Sequence, residues 1–448
     1  MRSTLLSAVL LSSLAAASPS NEKRTFGFLP GKGHEDVLQY GTPESVGMLS
    51  APLKELVANV SGYTKPGIYG SFSHYVEHPI EPGSATLIAH DGTVVASFAV
   101  GKRSKYADSN GTELPARQQE DATEDTIYDL ASLTKLFTTI AALREFDTGR
   151  LALDRTVASY MPEFATVGGG KENVTILQLL THTSGFDADP VPSLADPVYK
   201  THTDRVNAIL SSPLINAPGS TYLYSDLNMM SMQLLLEHVT HLPLDALVYS
   251  YTIPLGMTST FFNRGNIEGK WFPYYSRMAT QEFQIEVLGE GEPKRPQPVR
   301  ATVHDENSWA MGGVCGHAGV FSTVGDFAKL AQMILNNGTY GGHQILKPET
   351  VDLIFHNFNT KFPGNEHGLG FELNQYYTCG PMQGLQVASH TGFTGTTVCI
   401  DRSSNSFWLH FANRVHPSRS WSSNNIVREA VGYFVAKALG RNVAYPKI

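Results

Sequence analysis

Strand signals in this chain fall in two groups far apart in the sequence, with helix and loop signals between them, and this constrains the fold more than any other feature. The first group is a hairpin from Ala85 to Val100: Thr86, Leu87 and Ile88, a turn at Asp91-Gly92, then Val94, Val95, Ser97 and Phe98. Asp-Gly between β-prone runs is a strong tight-turn signal. The second group covers residues 386–390, 396–401 and 406–412. A helix is predicted over Ala51 to Val60, and another after Thr323-Val324-Gly325-Asp326, which resembles a capping box. There Phe327, Leu330, Ala331, Ile334 and Leu335 share a face and Gly338 ends the run. Ser423 to Leu439 reads as a last amphipathic helix closed by Gly440. Residues 150–319 read as short helices and loops, least regular over 264–300. The expected class is α+β: an antiparallel sheet built from both chain ends and flanked by helices, with an α-rich lobe inserted in the middle. The expected main domain spans 40–440, its α/β lobe drawn from 40–149 and 320–440 and its helical lobe from 150–319, with 441–448 as a tail. A cleft between the lobes is the expected place for a site.

Residues 1–17 have the pattern of a secretory signal: Arg2, an apolar run from Leu5 to Leu14, and Ala15-Ala16-Ala17 as a small-residue cleavage site. The run is well short of the roughly 20 residues a membrane span needs. Residues 18–39 form a leader in which Lys23-Arg24 either marks a second trimming step, leaving Thr25 first, or is an ordinary exposed pair. A secreted protein is expected. Sequons at Asn59, Asn110, Asn173 and Asn337 are then candidate glycan sites. With 42% hydrophobic and 17% charged residues the chain is globular, and a net charge of −8 without a long basic run excludes nucleic acid as a partner. Three cysteines allow one internal bridge at most. Cys379–Cys399 is expected, since both flank the same predicted strands, which leaves Cys315 free. No cysteine pair has metal-ligand spacing, so neither metal nor organic cofactor is called for.

Three stretches carry chemistry. Ser132 and Lys135 stand three apart at the start of a predicted helix on which Leu136, Thr139, Ile140 and Leu143 recur. Residues so spaced share a face, so hydroxyl and amine can meet. A lysine kept neutral by desolvation or by a neighbouring cation can take the serine proton, and the helix N-terminus favours the developing charge. The plain alternative is a helix-capping serine beside a solvated lysine. Tyr224, in Thr221-Tyr222-Leu223-Tyr224-Ser225-Asp226, is either a proton-shuttling phenol or a buried aromatic. His390-Thr391-Gly392-Phe393-Thr394-Gly395 ends a predicted strand. It is either a glycine turn or an edge that a substrate can approach and whose N–H groups can hold an oxyanion.

Ser-x-x-Lys, then Tyr-Ser-Asp, then His-Thr-Gly, in that order, resembles the serine β-lactamase and penicillin-binding-protein superfamily, and is most similar to its class C-like branch, which includes esterases, D-aminopeptidases and carboxypeptidases. Leu179-Leu180-Thr181-His182-Thr183-Ser184-Gly185, Pro254-Leu255-Gly256-Met257, Val303-His304-Asp305-Glu306-Asn307, Gly316-His317-Ala318-Gly319 and Asn413-Arg414-Val415-His416-Pro417 extend the likeness over roughly residues 40–440. The resemblance implies a β-lactamase/transpeptidase-like fold. It also implies Ser132 as acylated nucleophile, Lys135 as base, Tyr224 as proton shuttle, the N–H groups of Ser132 and Phe393 as oxyanion hole, and His390, Thr391, Gly392 and Asp226 as substrate-binding surroundings. Two departures stand out. His390 replaces a family lysine and is mostly neutral at pH 7 if unperturbed. Asp226 replaces a frequent asparagine and adds negative charge. Both disfavour anionic ligands. His304 and Asp305 as a dyad, and His317 lining the cleft, read more readily as loop-fixing groups, and His182 as a helix-end cap. The expected function is a secreted serine hydrolase that cleaves an ester or small amide of a small carbonyl substrate through an acyl-enzyme. A β-lactamase, an acyltransferase and a catalytically silent binding protein are the alternatives.

Overall fold

The computed structural model describes residues 36–448 apart from 68, 70–76, 285–294, 422 and 447–448. The expected signal segment 1–17, the Lys23-Arg24 trimming site and most of the 18–39 leader lie outside the described residues. The strands of the main sheet are β1 (Gln39–Tyr40), β2 (Gly83–His90), β3 (Thr93–Ser104), β4 (Glu120–Asp121), β5 (Glu372–Leu373), β6 (Val387–Thr391), β7 (Thr397–Asp401) and β8 (Ser406–Ala412). Their order is β1-β3-β2-β8-β7-β6-β5, with β4 beside β3. The two sequence groups join where β8 runs antiparallel to β2, Leu409 facing Leu87 and Trp408 facing Ile88. Asp91 and Gly92 turn the hairpin with φ 46° and 71°, as a two-residue turn of this hand requires. The expected all-antiparallel sheet needs one correction: β1 lies parallel to β3, so the sheet is mixed at that edge.

The strands read as continuous apolar runs because both faces are covered. Leu87, Phe407, Leu409 and Phe411 face a core shared with α2 (Thr134–Asp147) and α5 (Val324–Leu335), which contribute Phe137, Ile140, Phe327 and Leu330. Ile88, Trp408, Val387 and Cys399 point the other way, toward α1 (Ser50–Tyr63) and α6 (Asn425–Ala438), which contribute Leu56, Val60, Val431 and Val435. Period-two alternation thus sorts one strand's side chains into two cores. The Cys379–Cys399 disulfide ties the second core to β7, and Cys315 is free and buried. Between the strand groups lie α3 (Ile176–Leu180) and α4 (Asp226–Thr240), and residues 264–300 hold only short turns where they are described. Among the described residues no helix is long and apolar enough to cross a membrane.

The site is placed where separate segments of the chain meet beside the end of β6. Tyr128–Asp129 pairs with Val320–Ser322 and feeds a 3-10 turn, Ala131–Leu133, that runs into α2. Ser132 therefore sits in that tighter turn rather than in the first turn of an α-helix. In a 3-10 turn residues three apart eclipse one another, which brings Ser132 above Lys135 more directly than the expected α-helical start.

Candidate active site

The turn carrying Ser132 is held from four sides. Ala131 has φ 46°, a left-handed conformation that costs an alanine about 1 kcal/mol or more and persists only under constraint. Its N–H donates to Asp129 Oδ1 at 2.9 Å, while Asp129 Oδ2 accepts the His304 N–H at 2.6 Å. Burial pushes the Asp129 carboxyl up, and those two N–H groups pull against it. Thr394 Oγ1 donates to the Asp129 carbonyl at 2.7 Å and Thr396 Oγ1 to the Leu130 carbonyl at 2.9 Å, which clamps the turn to the loop after β6. Gly392 allows that approach: a Cβ there would stand 2.1 Å from Thr396 Oγ1 and 2.4 Å from the Leu130 oxygen.

Lys135 is fully buried, and its Nζ donates to Ser132 Oγ at 2.8 Å. The same Nζ lies 2.8 Å from Asp226 Oδ1 and 4.8 Å from the Tyr224 ring centre. Burial alone drives the amine's pKa down, but Asp226 and then Tyr224 outweigh it, and the net shift is upward. This corrects the expectation of a lysine made neutral by desolvation or by a second cation: its neighbour is an anion, and the resting group is an ammonium. Asp226 correspondingly spends its charge on Lys135, so it is not the free negative charge expected from the sequence. Burial pushes Tyr224 up to about 12, with Lys135 and hydrogen bonding to Lys135 and Ser132 pulling the other way. Serine, lysine and phenol thus converge, although Tyr224 is remote in sequence.

His182 is the strut for that convergence. It lies just past α3 at φ 55°, and its Nδ1 accepts the Ser225 N–H at 3.1 Å and Asn228 Nδ2 at 3.0 Å. Its ring lies 4.6 Å from that of Tyr224. Burial holds it well below the usual histidine range, hence neutral and able to accept. It positions the Tyr224–Asn228 segment instead of capping its own helix as expected.

At the end of β6, His390 is buried and donates from Nδ1 to the Thr391 carbonyl at 2.8 Å. Burial, with Lys135 nearby, lowers it to about 3. It is neutral, as the departure from lysine implied. A fixed cation nevertheless reaches the same place from α6. Arg428, buried, donates to Thr397 Oγ1 at 2.9 Å, Asn425 Oδ1 at 2.7 Å and the Gly392 carbonyl at 3.2 Å. Burial lowers it only to about 10, against the pull of Tyr377, Glu372 and Glu81, so it stays charged at neutral pH, and among the described residues no carboxylate forms a salt bridge with it. Phe393 is half exposed, its carbonyl accepts from Arg414 Nε at 2.9 Å, and the Arg414 guanidinium lies 4.6 Å from its ring centre. Among the described residues no protein acceptor takes the N–H of Ser132 or of Phe393.

Two cavities open on either side of Ser132, Tyr224 and Phe393. One, of about 450 Å³, is lined by His390, Thr391, Gly392, Tyr222, Glu372 and Arg428. The other, of about 490 Å³, is lined by Asp189, Asp226, His304, Asp305, His317 and Arg419. His317 therefore lines the cleft, but the His304–Asp305 dyad does not form. His304 Nε2 meets Glu282 at 2.8 Å, and Asp305 instead pairs with His317 at 2.8 Å. Burial opposes both charges of that pair, yet each partner outweighs it, so Asp305 is held below and His317 well above its usual range. Asp226, Asp305 and His317 bring one ligand atom each within 4.8 Å of the others, the only such grouping among the described residues, but the Lys135 ammonium already occupies the Asp226 carboxylate. Of the sequons, Asn110, Asn173 and Asn337 are exposed, whereas the Asn59 amide donates to the Tyr445 hydroxyl at 2.9 Å.

Asp129, Thr394, Thr396, Arg428 and Asp189 carried no expectation from sequence. The first four act through partners distant along the chain, Asp189 is brought to the cleft by the fold alone, and the only local signals were the adjacency of Asp129 to the serine motif and of the threonines to the glycine turn.

The Beta-lactamase family model matches residues 72–433. The "Putative D-alanyl-D-alanine carboxypeptidase" of Escherichia coli (strain K12) is 35% identical over 360 residues, 75% of this chain and 79% of that protein. One of the same name from Salmonella paratyphi B is 31% identical over 396 residues, 85% and 87% of the two chains. Among solved structures, an octameric penicillin-binding protein homologue from Pyrococcus abyssi superposes with TM-score 0.62 at 18% identity, covering 88% of this chain and 78% of that one. EstCE1, a hydrolase with promiscuous acyltransferase activity, gives 0.61 at 20% identity over 85% and 98%, and a class C β-lactamase gives 0.61 at 15% over 88% and 97%. At those identities the structures share a fold with this chain, while the family match and the curated relatives establish kinship: the chain belongs to the β-lactamase family, within the serine β-lactamase and penicillin-binding-protein superfamily of serine hydrolases.

Proposed function

We propose that this chain is a secreted serine hydrolase that forms an acyl-enzyme at Ser132 and cleaves an ester or small amide. The observation that carries the reading is the contact of one buried amine with the Ser132 hydroxyl, the Asp226 carboxylate and the Tyr224 ring. An ammonium that donates to Ser132 Oγ cannot accept its proton, so the amine must first lose one. Asp226 Oδ1, 2.8 Å from Nζ, is the acceptor at hand. Transfer leaves a neutral amine against the hydroxyl. Ser132 then attacks the substrate carbonyl and its proton passes to Lys135, while the oxyanion meets the N–H groups of Ser132 and Phe393. Tyr224, neutral at rest, relays a proton to the leaving group and takes one from the deacylating water. No step calls on a cofactor.

A serine-reactive fluorophosphonate probe tests this. The wild type is expected to be labelled and Ser132→Ala not; a folded, unlabelled wild type would support the catalytically silent alternative. Secretion is tested by N-terminal sequencing of protein from the medium, which is expected to begin at Ser18 or Thr25.

A second reading has its own support. Arg428 offers a guanidinium beside Gly392 that makes no salt bridge among the described residues, which suits a substrate carboxylate and favours carboxypeptidase or β-lactamase chemistry more than the neutral His390 alone implied. Turnover of p-nitrophenyl esters against a chromogenic cephalosporin decides between them: cephalosporin turnover well above ester turnover would put the second reading first.

A further inference from the structure

The chemistry proposed for Ser132 leaves Asp189, on the Asp226 side of the cleft, without work. In the cavity on the Asp226 side the other charges are matched. Asp226 meets Lys135 at 2.8 Å and Asp305 meets His317 at 2.8 Å. Glu306 meets Arg419 at 2.6 Å, and Arg419 also holds Glu282 at 2.6 Å, which His304 meets from its other side. Asp189 lines the same cavity, is exposed to it, and makes no hydrogen bond or ion pair among the described residues.

Nor does Asp189 sit on a loose loop. The Asp226 N–H donates to the Ala188 carbonyl at 2.7 Å and Ser225 Oγ to the Asp187 carbonyl at 2.5 Å. On the other side, Ser193 Oγ and the Leu194 N–H both donate to Asn307 Oδ1 at 2.8 Å, and Pro190 is buried. The carboxylate is therefore carried on backbone fastened to the start of α4, which supplies Asp226 and is entered from Tyr224. A charge held this way loses little freedom on binding. Across Ser132 the opposite cavity carries the Arg428 cation, so the cleft is polar end to end.

We infer that the substrate carries an ammonium group on the side of the scissile carbonyl that lies over Asp226, and that this group ion-pairs with Asp189. The inference rests on acylation at Ser132 and adds a substrate class to it: amino-bearing esters or amides. Asp189 is a specificity residue, since it touches the substrate away from the reacting bond.

Arylboronic acids, which add reversibly to a nucleophilic serine, test this without a known substrate. The probes are 3- and 4-(aminomethyl)phenylboronic acid and their N-acetyl counterparts, each titrated against fluorophosphonate labelling of Ser132. At about pH 8 the amino compound of at least one pair is expected to block labelling at a concentration about tenfold lower than its acetyl partner. In Asp189→Asn that ratio falls to near one, and in Asp189→Glu it is largely kept. A wild-type ratio near one, or a ratio that survives in Asp189→Asn, overturns the inference and leaves the hydrolase reading intact; absence of Ser132 labelling in wild type takes both down. Should the variants fail to fold, pH decides on the wild type. Desolvation by the cavity walls, with Asp226 and Asp305, raises the open Asp189 carboxyl to about 6 against the pull of His317 and Lys135, and Glu306, His304 and Arg419 line the same cavity. The ratio is then expected to hold above that pH and to collapse toward one below it; a ratio that does not change across it overturns the assignment.

Discussion

Lys135 carries two opposed pressures, and their balance sets the chemistry. A buried amine alone would deprotonate, but the Asp226 carboxylate at 2.8 Å keeps it charged. In the proposed mechanism Asp226 takes the amine proton inside the site, so no proton is lost to solvent before attack and wild-type kcat/KM is expected to be flat between about pH 7 and about pH 9. Asp226→Asn removes the internal acceptor. The amine must then lose its proton to solvent, and kcat/KM should rise about tenfold per pH unit until Lys135 is neutral. A variant as flat as the wild type would remove Asp226 from the proton path. Tyr224→Phe deletes one hydroxyl beside Ser132 and is expected to lower kcat by about a hundredfold or more with folding intact, checked by steady-state kinetics and thermal melts.

Elements matter here through their ends. The turn after β6 must press against the Ser132 turn closely enough for two threonine hydroxyls to reach the Asp129 and Leu130 carbonyls. Gly392→Ala inserts a methyl group within 2.4 Å of the Leu130 oxygen, so the two turns must part. The variant is expected to lose about 1–3 kcal/mol of stability in urea unfolding, and to lose activity beyond what that destabilisation explains, because the Phe393 N–H moves with the turn. A variant with near-native activity would dissociate the Phe393 N–H from the oxyanion. The His-Thr-Gly motif was legible because it lies within six residues of continuous chain. The threonine clamp was not, because its acceptors, Asp129 and Leu130, belong to another segment.

For the molecule as a whole, one sheet assembled from both termini makes the middle of the chain a closed loop hung from β2 and β8. The site lies where that loop leaves and returns, so the fold must be complete before the cleft exists. The Cys379–Cys399 bridge spans a sequence separation of 20 and staples the second core to β7. Replacing both cysteines by alanine is expected to cost about 3 kcal/mol, measured as a lower urea midpoint, while the labelling of Ser132 in the folded fraction is retained. Loss of labelling at full folding would show that the bridge shapes the site as well as the stability.

What the amino-acid order determined by itself was local: the Asp91-Gly92 hairpin, the period-two strands, the amphipathic terminal helix, the three motifs and the serine–lysine spacing. Each depends on neighbours a few residues away, so periodicity and turn chemistry expose it. Charge states and partnerships were decided only in three dimensions. Lys135 is an ammonium because a helix start remote in sequence brings Asp226 to it. His304 takes Glu282 rather than its neighbour Asp305. A cation reaches the cleft from Arg428 on the last helix although His390 is neutral. Coulombic energy and desolvation depend on distance through space, and distance through space is what a linear pattern does not contain.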